Sequence, residues 1–215
     1  MNSRSALDQM ISQQVRAWEV LDLPILDAMR KVPREQFVPP AWRSVAFADT
    51  ALPLAHGKRM LPPMLVGRIL TALSLRGGEA ALEVGTGSGY LSACMAALGA
   101  RVRSVELHEE LATQARSNLQ SAGFVEVEVL QADGMTLAGA ASFDCVVLTA
   151  SLPIWQPRFA DLLRDGGRLF TVVGAGVMME ALLIQKLGNT LQRRVLFETS
   201  LEALENAPRP PAFEF

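Results

Sequence analysis

The stretch Leu82-Glu83-Val84-Gly85-Thr86-Gly87-Ser88-Gly89-Tyr90 constrains this chain more than any other. An apolar run ends, three alternate glycines follow, and an apolar helical pattern begins. Glycines at such a junction let the backbone turn tightly and approach a ligand, with the amides of the helix start facing it. A strand, glycine turn and helix in this order belong to an open α/β sheet, where ligands sit beyond the carboxyl ends of the strands. The spacing is not that of the dinucleotide fingerprint GxGxxG. Counted from Gly85, its third glycine falls on Tyr90; counted from Gly87, it falls on Ser92.

The rest of the chain supports such a sheet. From residue 79 onward short apolar runs alternate with amphipathic ones, predicting strands over 80–84, 102–106, 125–130, 143–148 and 169–173. Helices are expected over 90–98, 109–122 and 155–163. Two further strand-like pieces, 181–186 and 194–197, read as an antiparallel hairpin closing the sheet. The expectation is therefore an α/β, doubly wound, mostly parallel seven-stranded sheet with an antiparallel C-terminal hairpin. Before it, Leu7, Met10, Ile11, Val15 and Trp18 fall on one helical face, and Asp22 and Pro24 open a second helix carrying Ile25, Leu26 and Met29. Pro33, Pro39 and Pro40 break the chain into turns around Phe37 and Val38. Residues 51–60 read as extended or loop, and 65–75 as helical up to Gly77-Gly78. We expect a helical N-terminal cap with a substrate loop over 1–78 and a ligand-binding core over 79–215, in one compact unit. Trp18, Trp42 and Trp155 read as core or domain-edge anchors, Met178 and Met179 as packing, and Pro208, Pro210 and Pro211 as a loose end.

Composition excludes several classes. The 215 residues are half apolar and one fifth charged, with mean hydropathy +0.23, enough for a buried core and unlike a disordered chain. A formal charge of −2 gives no cationic field for non-specific nucleic-acid binding. Cys94 and Cys145 lack CxxC spacing and have only His56 and His108 as company, so no metal site is expected and both read as reduced buried thiols. The start Met1-Asn2-Ser3-Arg4-Ser5 lacks a continuous apolar segment behind it, and no run reaches the roughly 18 to 20 residues that span a bilayer. A cytoplasmic protein without membrane association is the expectation.

The form acidic-x-Gly-x-Gly-x-Gly, from Glu83 to Gly89, resembles motif I of Rossmann-like S-adenosylmethionine-dependent methyltransferases. Glu106 ends the second strand, where an acid can accept both ribose hydroxyls, and Leu107 follows it. Asp133-Gly134 follow the third strand, where a carboxylate can accept the adenine amino group. The resemblance implies that Glu83 lies near the methionine moiety and its ammonium. It makes Glu83, Gly85, Thr86, Gly87, Ser88, Gly89, Tyr90, Glu106, Leu107, Asp133 and Gly134 the cofactor-binding set, with S-adenosyl-L-homocysteine as product. The competing reading is that each acid is a solvated strand-end residue.

A narrower resemblance rests on Ala28-Met29-Arg30-Lys31-Val32-Pro33-Arg34-Glu35-Gln36-Phe37-Val38-Pro39. With Ala46-Phe47-Ala48-Asp49, Leu52-Pro53-Leu54, His56-Gly57, Phe143-Asp144, Thr149-Ala150 and Leu163-Arg164-Asp165-Gly166-Gly167-Arg168-Leu169, it is similar to the protein-L-isoaspartate O-methyltransferases. That likeness spans about residues 8 to 175 and implies methyl transfer to the carboxylate of an isoaspartyl protein or peptide, by a monomer, as the first step of repair. The family's loop continues Gln-Thr-Ile-Ser after Gly57, whereas this chain reads Lys58-Arg59-Met60-Leu61-Pro62-Pro63. Leu61 takes the slot of the serine credited with contacting the substrate carboxylate, and it has no donor. Arg59 or Lys58 could hold an anionic acceptor instead; they could equally be solvated, or the loop could serve a relative that binds cofactor without repair activity. Thr149, after the fourth strand, is the expected polar group near the transferred methyl. His56 reads as incidental. No role is read into 196–206.

Overall fold

The computed structural model describes residues 3–139 and 141–210; Met1 and Asn2 of the N-terminal reading and Pro211 of the proline-rich end lie outside them. The cap opens with α1 (Ser3–Gln9), which widens into π-helical turns over Met10–Val15 and tightens over Arg16–Trp18. Met10, Ile11 and Val15 are buried as the periodicity predicts, but Trp18 is 48 % exposed. The wide turns advance the chain by more residues per turn, so the apolar stripe runs out before Trp18. Helix α2 (Leu23–Lys31) starts with Pro24 in its first turn and buries Ile25, Leu26, Ala28 and Met29. A two-stranded antiparallel pair, β1 (Leu52–Pro53) and β2 (Arg59–Met60), brackets the turn carrying His56 and Gly57. Period-two alternation there points Arg59 out and Met60 in. Helix α3 (Pro63–Leu73) then leads to the sheet.

Five strands run parallel: β3 (Ala80–Val84), β4 (Arg101–Glu106), β5 (Glu128–Gln131), β6 (Phe143–Leu152) and β7 (Leu163–Val173). β8 (Met179–Leu187) is antiparallel to β7, and β9 (Thr190–Thr199) to β8, completing the order β5-β4-β3-β6-β7-β8-β9. The seven-stranded, doubly wound sheet with its C-terminal hairpin is the architecture the sequence predicts. Helices α4 (Tyr90–Ala97), α5 (Glu109–Ser121) and α6 (Arg158–Asp161) provide crossovers. Strand order reverses between β3 and β6, which opens a crevice at their carboxyl ends. Leu82 and Val84 point into a core with Val146, Leu148, Phe159 and Leu169. Ala81, on the other face, joins α3, α4 and the cap in a second core. Cap and sheet thus share one apolar interior.

Several boundaries differ from expectation, the last three strands each running longer than the pieces expected at 169–173, 181–186 and 194–197. The third strand begins at Glu128 rather than 125, because Phe124 and Val127 tuck inward around a turn that leaves Val125 74 % exposed. The helix expected over 155–163 shrinks to four residues, since Leu163 is taken into β7 opposite Phe143. β6 runs on to Leu152, so Thr149, Ala150 and Ser151 lie inside its irregular end rather than in a loop after it. Trp42 is exposed and Met178 is 72 % exposed, so neither packs as expected, whereas Met179 is buried. Among the described residues, no helix is long and apolar enough to cross a membrane.

Candidate active site

A cavity of about 520 Å³ opens at the switch point, lined by the glycine loop, the ends of β4 and β6, the β1–β2 loop and residues 199–205. Its floor is the turn from Gly85 to Gly89. All three glycines there have positive φ, which favours residues lacking a Cβ. Gly85 has a second reason: a Cβ there would collide with Thr149 Oγ1. That hydroxyl lies 2.6 Å from the carbonyl oxygen of Gly85 and 3.1 Å from that of Val84, and donates to this pair. Thr149 therefore lines the cavity with its proton committed to the loop. Thr86 is fixed by a 2.6 Å hydroxyl contact to Ser104, and Ser88 by Asn118 Nδ2 donating to its carbonyl at 3.0 Å. These are the bonds of a loop held in one shape before any ligand arrives.

Glu83 is fully buried two residues before Gly85. Its Oε2 accepts from Ser104 Oγ at 2.7 Å and from Ser92 Oγ. Its Oε1 has no hydrogen-bond partner among the described residues. Burial pushes its carboxyl up to about 7; the two serine hydroxyls pull the other way, and the nearby Glu106 charge adds to the rise. A buried carboxylate oxygen without a donor is costly unless a ligand supplies one. An ammonium at that spot would satisfy it.

The other two acids are partly satisfied by main chain. Glu106 is 6 % exposed; its Oε2 accepts the Gly87 N–H at 2.9 Å and its Oε1 the His108 N–H at 3.1 Å. Asp133 Oδ1 accepts the Met135 N–H at 2.7 Å and Oδ2 the Asn206 Nδ2 at 2.9 Å. Each oxygen keeps lone-pair capacity for hydroxyl or amino donors. Leu107 lines the cavity between them, and Gly134 packs so close to the Val84 side chain that a Cβ would not fit. The structure therefore brings Glu83, Glu106, Asp133 and the glycine loop from Gly85 to Ser88 to one cavity, whereas Gly89, expected in the same set, faces Ala115 and Leu119 of α5. The fit to a sulfonium nucleoside is good: an orphaned acid for the ammonium, a glycine turn whose shape is already fixed by its own hydrogen bonds, and two acids at the nucleoside end.

Tyr90, the first residue of α4, is buried with its ring beneath the Arg34 guanidinium at 4.7 Å and edge-on to Phe37 at 5.7 Å. Burial pushes its hydroxyl well above the ordinary phenol range. Arg34 is itself fully buried, donating from Nε to the Ala46 carbonyl and from Nη2 to the Leu61 carbonyl, both at 2.9 Å. Desolvation lowers its pKa. Arg34 thus ties the cap segment to the loop of Leu61 and, through Tyr90, to the cofactor helix. Leu61 packs its half-buried side chain against the second core and also lines the cavity.

In the sequence Arg34 stands out only as part of the 28–39 segment, Ser92 only as a failed glycine slot, and Ser104 not at all. A serine on an otherwise apolar helix or strand face was the signal available for the last two. For Glu202, Glu205 and Asn206 no local signal existed. Glu205 binds Lys58 and, at 2.9 Å, His108 Nε2; Arg59 Nε lies 3.5 Å from Glu202. His108 stacks flat on His56 with ring centroids 4.2 Å apart, and His56 Nε2 lies 3.1 Å from Glu110.

The family model for protein-L-isoaspartate(D-aspartate) O-methyltransferase matches residues 5–200. A protein-L-isoaspartate O-methyltransferase of Koribacter versatilis is 37 % identical over 194 residues, covering 89 % of this chain and 87 % of the relative. Protein-L-isoaspartate O-methyltransferase 2 of Marinobacter nauticus is 40 % identical over 80 % of this chain and 79 % of its own. In fold, the chain is similar to a protein-L-isoaspartate O-methyltransferase structure from Plasmodium falciparum in complex with S-adenosyl-L-homocysteine. The TM-score is 0.80 at 20 % identity, over 95 % of this chain and 99 % of the other. This chain belongs to the protein-L-isoaspartate(D-aspartate) O-methyltransferase family.

Proposed function

We propose that this protein is an S-adenosylmethionine-dependent methyltransferase that esterifies the carboxylate of isoaspartyl residues in peptides and proteins. Family membership supports the reaction, and one observation carries the cofactor assignment: the buried, unpartnered Oε1 of Glu83 at the floor of the glycine-loop cavity. When bound, the cofactor supplies an electrophilic methyl on a sulfonium. Glu83 binds its ammonium, Glu106 its ribose hydroxyls and Asp133 its adenine amino group. Leu107 and Tyr90 line the walls of the cavity that would hold it, and Gly85 to Ser88 line its floor.

The acceptor carboxylate is anionic at neutral pH, so none of these residues needs to act as a base. What remains for the protein is alignment and exclusion of water, effects that together account for about 7–11 kcal/mol in well-oriented systems. Thr149 serves by holding the glycine loop, and the half-buried Leu61 and buried Met60 keep the mouth dry. The two cysteines, Cys94 and Cys145, are free and buried, in keeping with a reducing cytoplasm, where we place a monomer acting in protein repair.

A second reading, a relative that binds the cofactor without isoaspartyl activity, is favoured by Leu61 in the serine slot. Calorimetric titration with S-adenosyl-L-homocysteine and methyl-ester assay on an isoaspartyl peptide separate the two. Binding with ester formation is expected. Binding without ester formation selects the second reading, and no binding removes both.

A further inference from the structure

The segment 201–206 has no role so far and lies beyond the residues matched by the family model. It runs from β9 back across the cavity. The Ser151 N–H donates to the Glu202 carbonyl at 2.8 Å, the Leu204 N–H to the Ser151 carbonyl at 2.8 Å, and Ser151 Oγ to the Leu201 carbonyl at 3.0 Å. These bonds pin the main chain of the segment against the end of β6, two residues beyond Thr149. From that fixed backbone two carboxylates reach the β1–β2 loop.

The two ties differ in kind. Glu205 is held by two partners, Lys58 and His108, and contact with them depresses its carboxyl pKa, Lys58 first. It is the anchor. Glu202 makes a single approach to Arg59, at 3.5 Å, longer than a charge-assisted hydrogen bond, with both side chains more than half exposed. Contacts of that kind contribute little and exchange readily in water.

Resting on the carboxyl-methylation reading above, we propose that Arg59 receives the acceptor carboxylate and that Glu202 occupies Arg59 as an internal stand-in which the acceptor displaces. The loop offers no better receiver: Leu61 has no donor, Lys58 is engaged by Glu205, and Met60 faces inward. A guanidinium presents a planar fork matched to a carboxylate. Exchange needs only rotation of the Glu202 side chain, because Ser151 holds its backbone, and it replaces one carboxylate by another so that Arg59 is never left unpaired. Arg59, Glu202, Leu61, Thr149 and Glu83 all line the same cavity, which puts the exchange at the mouth of the transfer site.

The test is steady-state methylation of an isoaspartyl peptide at low salt by the full chain, E202Q, R59Q and the double variant. S-adenosyl-L-homocysteine affinity, measured in parallel, reports folding. E202Q should lower KM about threefold and R59Q raise it about tenfold, both in KM rather than kcat. In the R59Q background, E202Q should no longer lower KM. An unchanged or raised KM in E202Q, or a wild-type KM in R59Q, overturns the proposal. If every protein binds S-adenosyl-L-homocysteine but none forms ester, the acceptor reading itself has failed. Calorimetric binding of the peptide to the S-adenosyl-L-homocysteine-loaded proteins then decides: tighter binding to E202Q than to wild type supports the exchange, and equal or absent binding refutes it.

Discussion

On the floor of the cavity Glu83 is fully buried, bonded to two serines and placed beside a turn whose amides and hydroxyls are already committed. At the mouth, Arg59 and Glu202 are more than half exposed and 3.5 Å apart. The floor is built to need little reorganisation at the moment a ligand binds: its groups are desolvated, oriented and, in the case of Glu83 Oε1, left without a donor. The mouth is built to exchange partners. A protein can keep one cofactor site and vary its acceptor contacts when rigidity and adaptability are separated in this way.

The sharpest way to break the contrast is to neutralise the floor. Glu83→Gln keeps shape but loses the anion that an ammonium would meet. Hydrogen bonds to charged groups contribute about 1.5–3 kcal/mol, so S-adenosyl-L-homocysteine should bind roughly 100-fold more weakly by calorimetry. Apo stability should hold or rise, because a buried carboxylate is removed. Undiminished affinity would mean that the orphaned oxygen does not face the ligand.

A smaller effect probes the turn itself. Gly85→Ala forces a Cβ onto a residue with φ of +95° and into Thr149 Oγ1. Strain of this sort costs about 1–3 kcal/mol, and chemical denaturation should register a loss of about 2 kcal/mol. Adding Thr149→Ala removes the colliding oxygen, so the double variant should recover part of the loss. No recovery would place the whole cost in backbone strain.

The same contrast explains what could be read in advance. The floor was legible because its parts are consecutive: a strand, a glycine turn and a helix from Leu82 to Tyr90, with Glu106 and Asp133 at the ends of the next strands. The central strands were legible as short apolar runs because both of their faces are buried, as at 80–84. Boundaries failed at 125–130, where two inward residues flank an exposed turn, and at 155–163, where Leu163 is claimed by a sheet partner twenty positions earlier in the chain. The mouth was illegible because Lys58 and Arg59 meet glutamates far along the chain through a tail whose composition is unremarkable. Arg34 sits between these cases: its motif was visible, but nothing in the sequence said that a guanidinium would be buried under two carbonyls and over Tyr90.

The smallest expected effect separates floor from mouth by pH and salt. The Glu83 carboxyl is raised to about 7 by burial, against an ordinary value of 4.5. An acid raised on folding favours the folded state while it is protonated. Its contribution is present in full below the unfolded value and is lost as pH rises through about 7, an order-of-magnitude 3 kcal/mol across that window. An ammonium ligand needs the opposite, ionised form. Binding at pH 6 must therefore expel the Glu83 proton, and S-adenosyl-L-homocysteine affinity should be about fivefold weaker at pH 6 than at pH 7. Calorimetry in buffers of different ionisation enthalpy should detect proton release that disappears in Glu83→Gln. High salt should leave this linkage intact, since Glu83 is shielded from solvent, while it weakens the exposed Arg59–Glu202 contact. Proton release that faded with salt would mean that the titrating group lies at the mouth, and the division between a fixed floor and an exchanging rim would not hold.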